Sequence, residues 1–468
     1  MTLTIPFDNT YARLPGTLFT RQAPTPVPAP RLLAWNDALA DQLGITGTPD
    51  AAVLAGNTIS EGADPLAQAY AGHQFGGFSP SLGDGRAVLL GEVIDQTGQR
   101  RDIQLKGSGR TPWSRGGDGR AWMGPVLREY VVSEAMHAMG IPTTRALAAT
   151  ATGEDILRET PLPGAVLTRV AASHLRVGHF EYFAARGDTD SLQALFNYAV
   201  DRHDPGATDP LSFLKGVIAR QARLVAQWMG VGFIHGVMNT DNTSISGETI
   251  DYGPCAFMDG YNPSTVFSSI DRNGRYAYDN QAKILPWNMA QLASALLALM
   301  PDPEAAIPPF TEAVHAMPDL IEAERLRTFA AKIGIASPRA GDTALIDDLL
   351  ALMAAGRSDF TNTFRALPSN DAKDHVADRD AFLDWADRWH ARLESEPDAA
   401  ALMARTNPAV IPRNHRIEQM ITAAVAGDMA PFQTLMTALA TPYQYPVDQS
   451  LTRPPSQDEV VTATFCGT

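Results

Sequence analysis

Residues 101–120, RDIQLKGSGRTPWSRGGDGR, carry Arg101, Lys106, Arg110, Arg115 and Arg120 against Asp102 and Asp118, a local net charge of +3. Gly107, Gly109, Gly116, Gly117 and Gly119 are interleaved with them, and glycine lets backbone N–H groups come close to an anion. Such a stretch can cradle phosphate; the plainer alternative is a basic loop on a solvated face. Lys106 ends the alternating run DIQLK, and Glu129, 23 residues on, is a carboxylate that could hold its amine extended. Further along stand residues 235–242, HGVMNTDN, and then Asp251-Tyr252-Gly253. The amide oxygen of Asn242 and the carboxylate of Asp251 are hard donors, suited to an octahedral divalent cation that carries nucleotide phosphates.

The rest of the chain makes this cluster unusual. Its 468 residues have 37 Lys and Arg against 52 Asp and Glu, a net charge of −15. A surface of that sign repels polyanions, which argues against nucleic acid and anionic membranes as partners. Any anion must be held in a local basic pocket. At roughly 150 residues per domain the length fits about three units, or one large domain with insertions. Cys255 and Cys466 alone can form neither a disulfide scaffold nor a four-thiolate zinc site, although one bridge between them stays open. The N-terminus has no apolar signal region. The most apolar stretch, residues 292–300 (LASALLALM), is too short to span a bilayer, so a cytoplasmic protein is expected.

The elements that would position these residues follow from periodicity. Residues 86–94 (RAVLLGEVI) and 102–106 read as two strands joined by DQTG, a hairpin fed by the glycine-dense segment 70–85. Leu127, Tyr130, Val131, Ala135 and Ala138 recur at helical spacing over 125–139, before Gly140 and Pro142. Residues 165–170 suggest a strand and 211–228 a long helix. The first 60 residues are Pro-rich and irregular, with one short helical pattern near 33–43. From about 285 onward the pattern is helical and broken at prolines, and the last 28 residues lose periodicity. Glycine loop, hairpin, helix, strands, long helix, polar loop and helical half follow the element order of a protein kinase. The expected fold class is therefore α+β, a protein-kinase-like two-lobed fold. Its expected parts are an N-terminal extension (1–69), an N-lobe-like nucleotide-binding region (70–185), a helical C-lobe-like region with the catalytic and metal loops (186–440), and an extended tail (441–468).

Laid on the kinase pattern H-x-D-x-x-x-x-N, His235 and Asn242 fit, but the Asp position is Val237, which cannot accept a proton. Asp241 is the available substitute, and Asp251-Tyr252-Gly253 is a variant of D-F-G. Lys106 matches the phosphate-binding lysine of the kinase strand and Glu129 its helical partner. Two classes besides a working transferase of another kind stay open: a conventional γ-phosphate kinase, and a catalytically inactive nucleotide-binding pseudokinase, which Val237 suggests.

The strings YAGHQFGGFSPSLGDGRAVLLGE, DIQLKGSGRTPWSRGGDGRA, LREYVVSEAMHAMGIPTTRAL and GVMNTDNTSISGETIDYGP resemble the hallmark blocks of the selenoprotein O family, kinase-fold protein adenylyltransferases. The resemblance runs from Phe7-Asp8-Asn9 through Asn407-Pro408 and Arg413-Asn414-His415 to Cys466-Gly467-Thr468. It implies a nucleotide bound in reverse, so that the α-phosphorus meets the acceptor and AMP, or UMP from UTP, passes to Ser, Thr or Tyr hydroxyls of proteins. It further implies that Gly83, Gly85, Arg86, Lys106, Asp118, Gly119, Arg169, Arg176 and Asp251 bind the nucleotide, with Glu129 orienting Lys106. Asp241 would be the proton acceptor, and Asn242 and Asp251 would hold Mg²⁺ or Mn²⁺. The position of Cys466 is a selenocysteine in some members, so redox chemistry and an inert tail thiol both stay open. His73, His174, His179 and His235 match no zinc spacing and read as packing residues. Trp113 and Trp122 could stack on a base or pack in the core.

Overall fold

The computed structural model describes residues 2–369 and 371–465. Among them, eight strands form one antiparallel sheet: β1 (Phe19–Arg21), β2 (Arg31–Trp35), β3 (Leu66–Gln68), β6 (Ala87–Ile94), β7 (Arg100–Lys106), β8 (Ala121–Trp122), β9 (Arg145–Leu157) and β10 (Pro161–Ala171). Their order is β1-β3-β6-β7-β10-β9-β2, with β8 on β10. A separate hairpin, β4 (Gly72–Gln74) and β5 (Gly77–Ser79), lies off the sheet, as does the pair β11 (Phe233–Ile234) and β12 (Ala256–Phe257).

Strand β6 is apolar but for Glu92 and buried along all but its last residue, because both faces of the sheet are covered. Side chains alternate across it: Leu89 joins the core beneath α3 (Met123–Ala138), while Leu90 and Val93 join a second core. That second core is built by the N-terminal segment, with Leu3, Ile5, Leu39 and Leu43 of the α1 region (Asp37–Gln42) and Val53 and Leu54 of α2 (Ala51–Leu54). The helical pattern near 33–43 thus starts as a strand. Asn36 caps α1 by accepting from the Leu39 N–H at 3.1 Å, and the residues before such a cap are extended. Residues 1–69 therefore supply β1, β2 and β3 to the sheet itself.

Strand β9 has no sequence signal; RALAATATGEDIL is rich in alanine, a weak strand former. Its place between β10 and β2, with small side chains against α3, decides it. The expected helices are present as α3 and α6 (Pro210–Gly230). Between them come α4 (Val177–Ala184) and α5 (Thr189–His203), and α7 (Gln281–Leu297) opens the helical half. Pro303 and Pro318 lie in the first turn of helices, where a missing N–H costs nothing, whereas Pro286, Pro308 and Pro309 lie inside helices rather than breaking them.

The tail is not free. Thr464 pairs with Ser268, and its hydroxyl donates to the Pro254 carbonyl at 2.6 Å, next to the Asp251-Tyr252-Gly253 turn. Cys255 is buried; Cys466, and with it the bridge left open above, lies outside the described residues. Among the described residues no helix is long and apolar enough to cross a membrane.

Candidate active site

Antiparallel pairing sets Arg169 of β10 opposite Gln104 of β7, two residues before Lys106. Both cations reach the same two acids. Lys106 Nζ donates to Glu129 Oε2 on α3 at 2.6 Å and to Asp251 Oδ1 at 2.5 Å. Arg169 donates to Asp251 Oδ1 at 2.7 Å, Glu129 Oε1 at 3.2 Å and Gln104 Oε1 at 2.6 Å. Arg176, just before α4, reaches Asp251 Oδ2 at 3.3 Å and Asp84 Oδ1 at 3.5 Å, with its guanidinium over the Tyr70 ring. Arg169 is 1% and Arg176 2% exposed, so these charges are largely out of water and need partners.

Burial by itself would raise the pKa of Asp251, but Lys106, Arg169 and Arg176 reverse this and hold it well below the usual carboxylate range. Asp251 also has a left-handed backbone, φ 61°, a conformation Asp tolerates better than most residues and one that recurs at functional sites. Asp84 behaves in the opposite way: burial raises its pKa despite Arg176.

Across the cleft, the loop after β11 carries Asp241 and Asn242 in a short 3₁₀ turn. His235 is fully buried, stacks on Trp228 and bonds the Ile250 carbonyl at 2.8 Å, so it packs the loop and does not line the cleft. Asn288 of α7 donates to the Met238 carbonyl and to the Thr243 hydroxyl, pinning the loop from below. Burial pushes the Asp241 carboxyl up to about 6, against a hydrogen bond from Gln74 that lowers it. At neutral pH it is mostly ionised and can accept a proton.

A cleft of about 690 Å³ joins the two sides. Gly83, Gly85, Arg86, Lys106, Asp118, Gly119, Arg169, Arg176, Asp241, Asn242 and Asp251 all line it, and Glu129 stands behind Lys106. Trp113 lines it too, its ring so close to Gly83 that a Cβ there would fall 2.2 Å from the indole Cγ. Trp122 does not; it packs against Gly124 at the head of α3.

The basic stretch contributes less than its charge count suggests. Lys106, Arg115 and Arg120 line the cleft, while Arg101 and Arg110 do not. Arg101 is the second residue of the strand that Lys106 ends, about 17 Å away at ~3.3 Å per residue, and bonds Asp95 at 2.9 Å. Sequence reasoning missed Arg158, from the turn between β9 and β10, which lines the cleft and pairs with Asp118 at 2.8 Å. It also missed the buried Asp84 and Gln104 and the role of Gln74; isolated polar residues in strands and loops carry no spacing signal.

A divalent cation fits the donors present only with help. Asn242 spends an amide N–H on the Val237 carbonyl at 3.0 Å, which leaves Oδ1 as the atom that could ligate a cation, and Asp251 lines the same cleft. Among the described residues no group of three or more His, Cys, Asp and Glu could hold a metal. Two hard oxygens match a cation that keeps waters and takes its remaining ligands from phosphate. The histidines have other work: His73 bonds Glu181, His174 bonds Asp102, and the His179 ring accepts the Arg176 N–H.

Comparison with known proteins adds a family to this geometry. Residues 1–440 match the family model described as protein adenylyltransferase SelO. Curated relatives named protein nucleotidyltransferase YdiU, from Ruegeria sp. (strain TM1040), Ruegeria pomeroyi and Roseobacter denitrificans, are 64%, 63% and 62% identical, each alignment covering 100% of both chains.

Proposed function

This chain belongs to the SelO family, and on that premise we propose how its cleft performs protein nucleotidyl transfer. It is a protein adenylyltransferase. The observation that carries the reading is the pair of opposed walls: Lys106, Arg169 and Arg176 gathered on Asp251, and Asp241 facing them where Val237 leaves no other base.

In this reading the triphosphate of ATP, or of UTP, lies along Lys106, Arg169 and Arg176, with Arg86, Gly83, Gly85, Asp118 and Gly119 enclosing the rest of the nucleotide. Arginine offers two parallel donors to phosphate oxygens, and Glu129 keeps Lys106 extended. A divalent ion, Mg²⁺ or Mn²⁺, held by Asn242 and Asp251, supplies charge neutralisation on the phosphates when bound. Asp241 takes the proton from a Ser, Thr or Tyr hydroxyl of the acceptor protein. The acceptor oxygen bonds to the α-phosphorus, the bond from that phosphorus to the β-phosphate bridge breaks, and pyrophosphate leaves. Fixed cations at the developing charge do most of the work in such a transfer.

The hairpin β6–β7, α3 and the Lys106–Glu129 pair support a kinase-like two-lobed arrangement, with the regions 1–69, 70–185, 186–440 and 441–468 as its parts and the cytoplasm as its setting. ATP labelled at the α- or the γ-phosphate tests the chemistry. Protein label from α alone is expected. Label from γ would mean a kinase, and none from either a nucleotide-binding scaffold.

A further inference from the structure

The glycine-dense segment divides into two parts with different work. Gly83, Gly85 and Arg86 lead into β6 and the cleft wall, but residues 72–79 form the β4–β5 hairpin, which joins no strand of the main sheet. Phe75 and Gly76 at its tip have φ of 52° and 87°, the two left-handed residues of a type I′ turn, closed by the pair Gln74 and Gly77.

The inner strand of this hairpin is bonded to the catalytic loop. The His73 N–H donates to the Thr240 hydroxyl at 2.7 Å, and the Phe75 N–H donates to Asn239 Oδ1 at 3.0 Å. The Tyr276 hydroxyl donates to that same oxygen at 2.6 Å, and the His73 ring is tied to Glu181 of α4 at 2.5 Å. The two residues that precede Asp241 are therefore fixed from the hairpin. Gly72 lets it close fully, since a Cβ there would fall 2.6 Å from Asp241 Oδ1. At the end of β4, Gln74 Nε2 donates to Asp241 Oδ2 at 3.2 Å. Asp241 Oδ1 is buried and takes no hydrogen bond among the described residues. Gln74 is thus the side chain that orients this carboxylate.

We propose that Gln74 is a positioning residue for nucleotidyl transfer, and that the β4–β5 hairpin serves to carry its amide to Asp241. The proposal rests on the reading of Asp241 as proton acceptor. Rotation about the last bond of an Asp side chain is soft, so without a donor the carboxylate would sample orientations that miss the acceptor hydroxyl. An amide fixes the plane of the carboxylate without bringing a positive charge to a group that must take up a proton. Errors of about 1 Å in such a placement cost on the order of 10²-fold in rate.

The test is the single-turnover transfer rate from α-labelled ATP to an unfolded, hydroxyl-rich protein acceptor, with ATP affinity measured separately by equilibrium dialysis. Gln74→Leu is expected to slow transfer about 10- to 100-fold while ATP affinity stays within about twofold. Gln74→Glu keeps the size and loses the donor, so it should slow transfer equally; it decides the matter should the leucine variant melt early. The double variant Gln74→Leu with Asp241→Asn should be no slower than Asp241→Asn alone, because Gln74 acts through Asp241. Full transfer by Gln74→Leu and Gln74→Glu, losses that multiply in the double variant, or an equal fall in ATP affinity would each overturn the proposal and leave Asp241 in its role. Full transfer by Asp241→Asn would remove both.

Discussion

Two lysines largely shielded from water, Lys106 with its side chain 11% exposed and Lys332, are treated in opposite ways. Lys106 lies between two carboxylates, Glu129 and Asp251, with Arg169 and Arg176 crowded onto the same acids. Lys332, at the end of the helix Met317–Lys332, is 2% exposed and has no carboxylate partner among the described residues. Its ammonium donates to Asn407 Oδ1 at 2.9 Å and sits over the rings of Phe364 and Phe360, and burial pulls its pKa down to about 7. The sheet side of the molecule uses carboxylates to gather cations at the wall of the cleft. The helical half buries an amine as packing and lets it shed its charge. Burial alone therefore does not mark a functional cation; its partners and its place on the cleft wall have to be read with it.

The contrast is broken most directly at Asp251. Replacing it with Ala removes the proposed metal ligand and strips three cations of their common partner, and transfer from α-labelled ATP should fall by ~10²–10³-fold or more. Retention of the wild-type rate would mean that the cluster is structural. Lys106→Met should cost ~10²-fold in the same assay, whereas Lys332→Met should leave transfer within about twofold. Equal losses at the two lysines would erase the distinction.

A pH series sharpens the contrast. The Lys332 amine titrates near 7 in the folded chain and near its ordinary value of ~10.4 when unfolded, so between those limits the unfolded chain holds one more proton. Its contribution therefore raises stability as pH climbs from about 7, by up to ~1.4 kcal/mol per unit, and its cost is fully present below that. Urea midpoints between pH 7 and 9.5 should rise less steeply for Lys332→Met than for the wild type. In the cleft the smallest effect belongs to Arg158, whose partner Asp118 is 43% exposed. Arg158→Ala should change ATP affinity by no more than about fivefold, as an exposed pair is worth ~0.2–1 kcal/mol; a much larger loss would make Arg158 a direct phosphate ligand.

Motif residues of the helical half lose their mystery in the same comparison. Asn407 is the partner of Lys332 and also bonds the backbone of that helix, while Arg413 is buried between Asp259 and Asp359. Neither lines the cleft. Their types and spacing looked as distinctive as those of Asp241 and Asn242, because sequence reports that a residue is special and leaves open whether for packing or for chemistry. The β6–β7 hairpin, α3 and the Lys106, Glu129, Asn242 and Asp251 set were legible, each carried by a local pattern of alternation, helical spacing or loop motif. The strands β1, β2 and β9 were not, since pairs such as Leu32 with Thr150 close over more than a hundred residues and leave no periodic trace.

Residue type and short spacing determined the chemistry available to this chain: hard oxygens able to ligate a cation, a lysine ending a strand, glycines that let a backbone approach an anion, and an acid at Asp241 where Val237 leaves the motif without one. Only the tertiary structure decided which charges meet. It brought Asp251 to Lys106 across 145 positions, sent Arg101 to the far end of its strand, and folded the glycine-dense segment back so that Gln74 holds Asp241. The reason is physical: a side chain's chemistry is intrinsic, whereas contact between distant residues is set by how the whole chain buries its apolar faces.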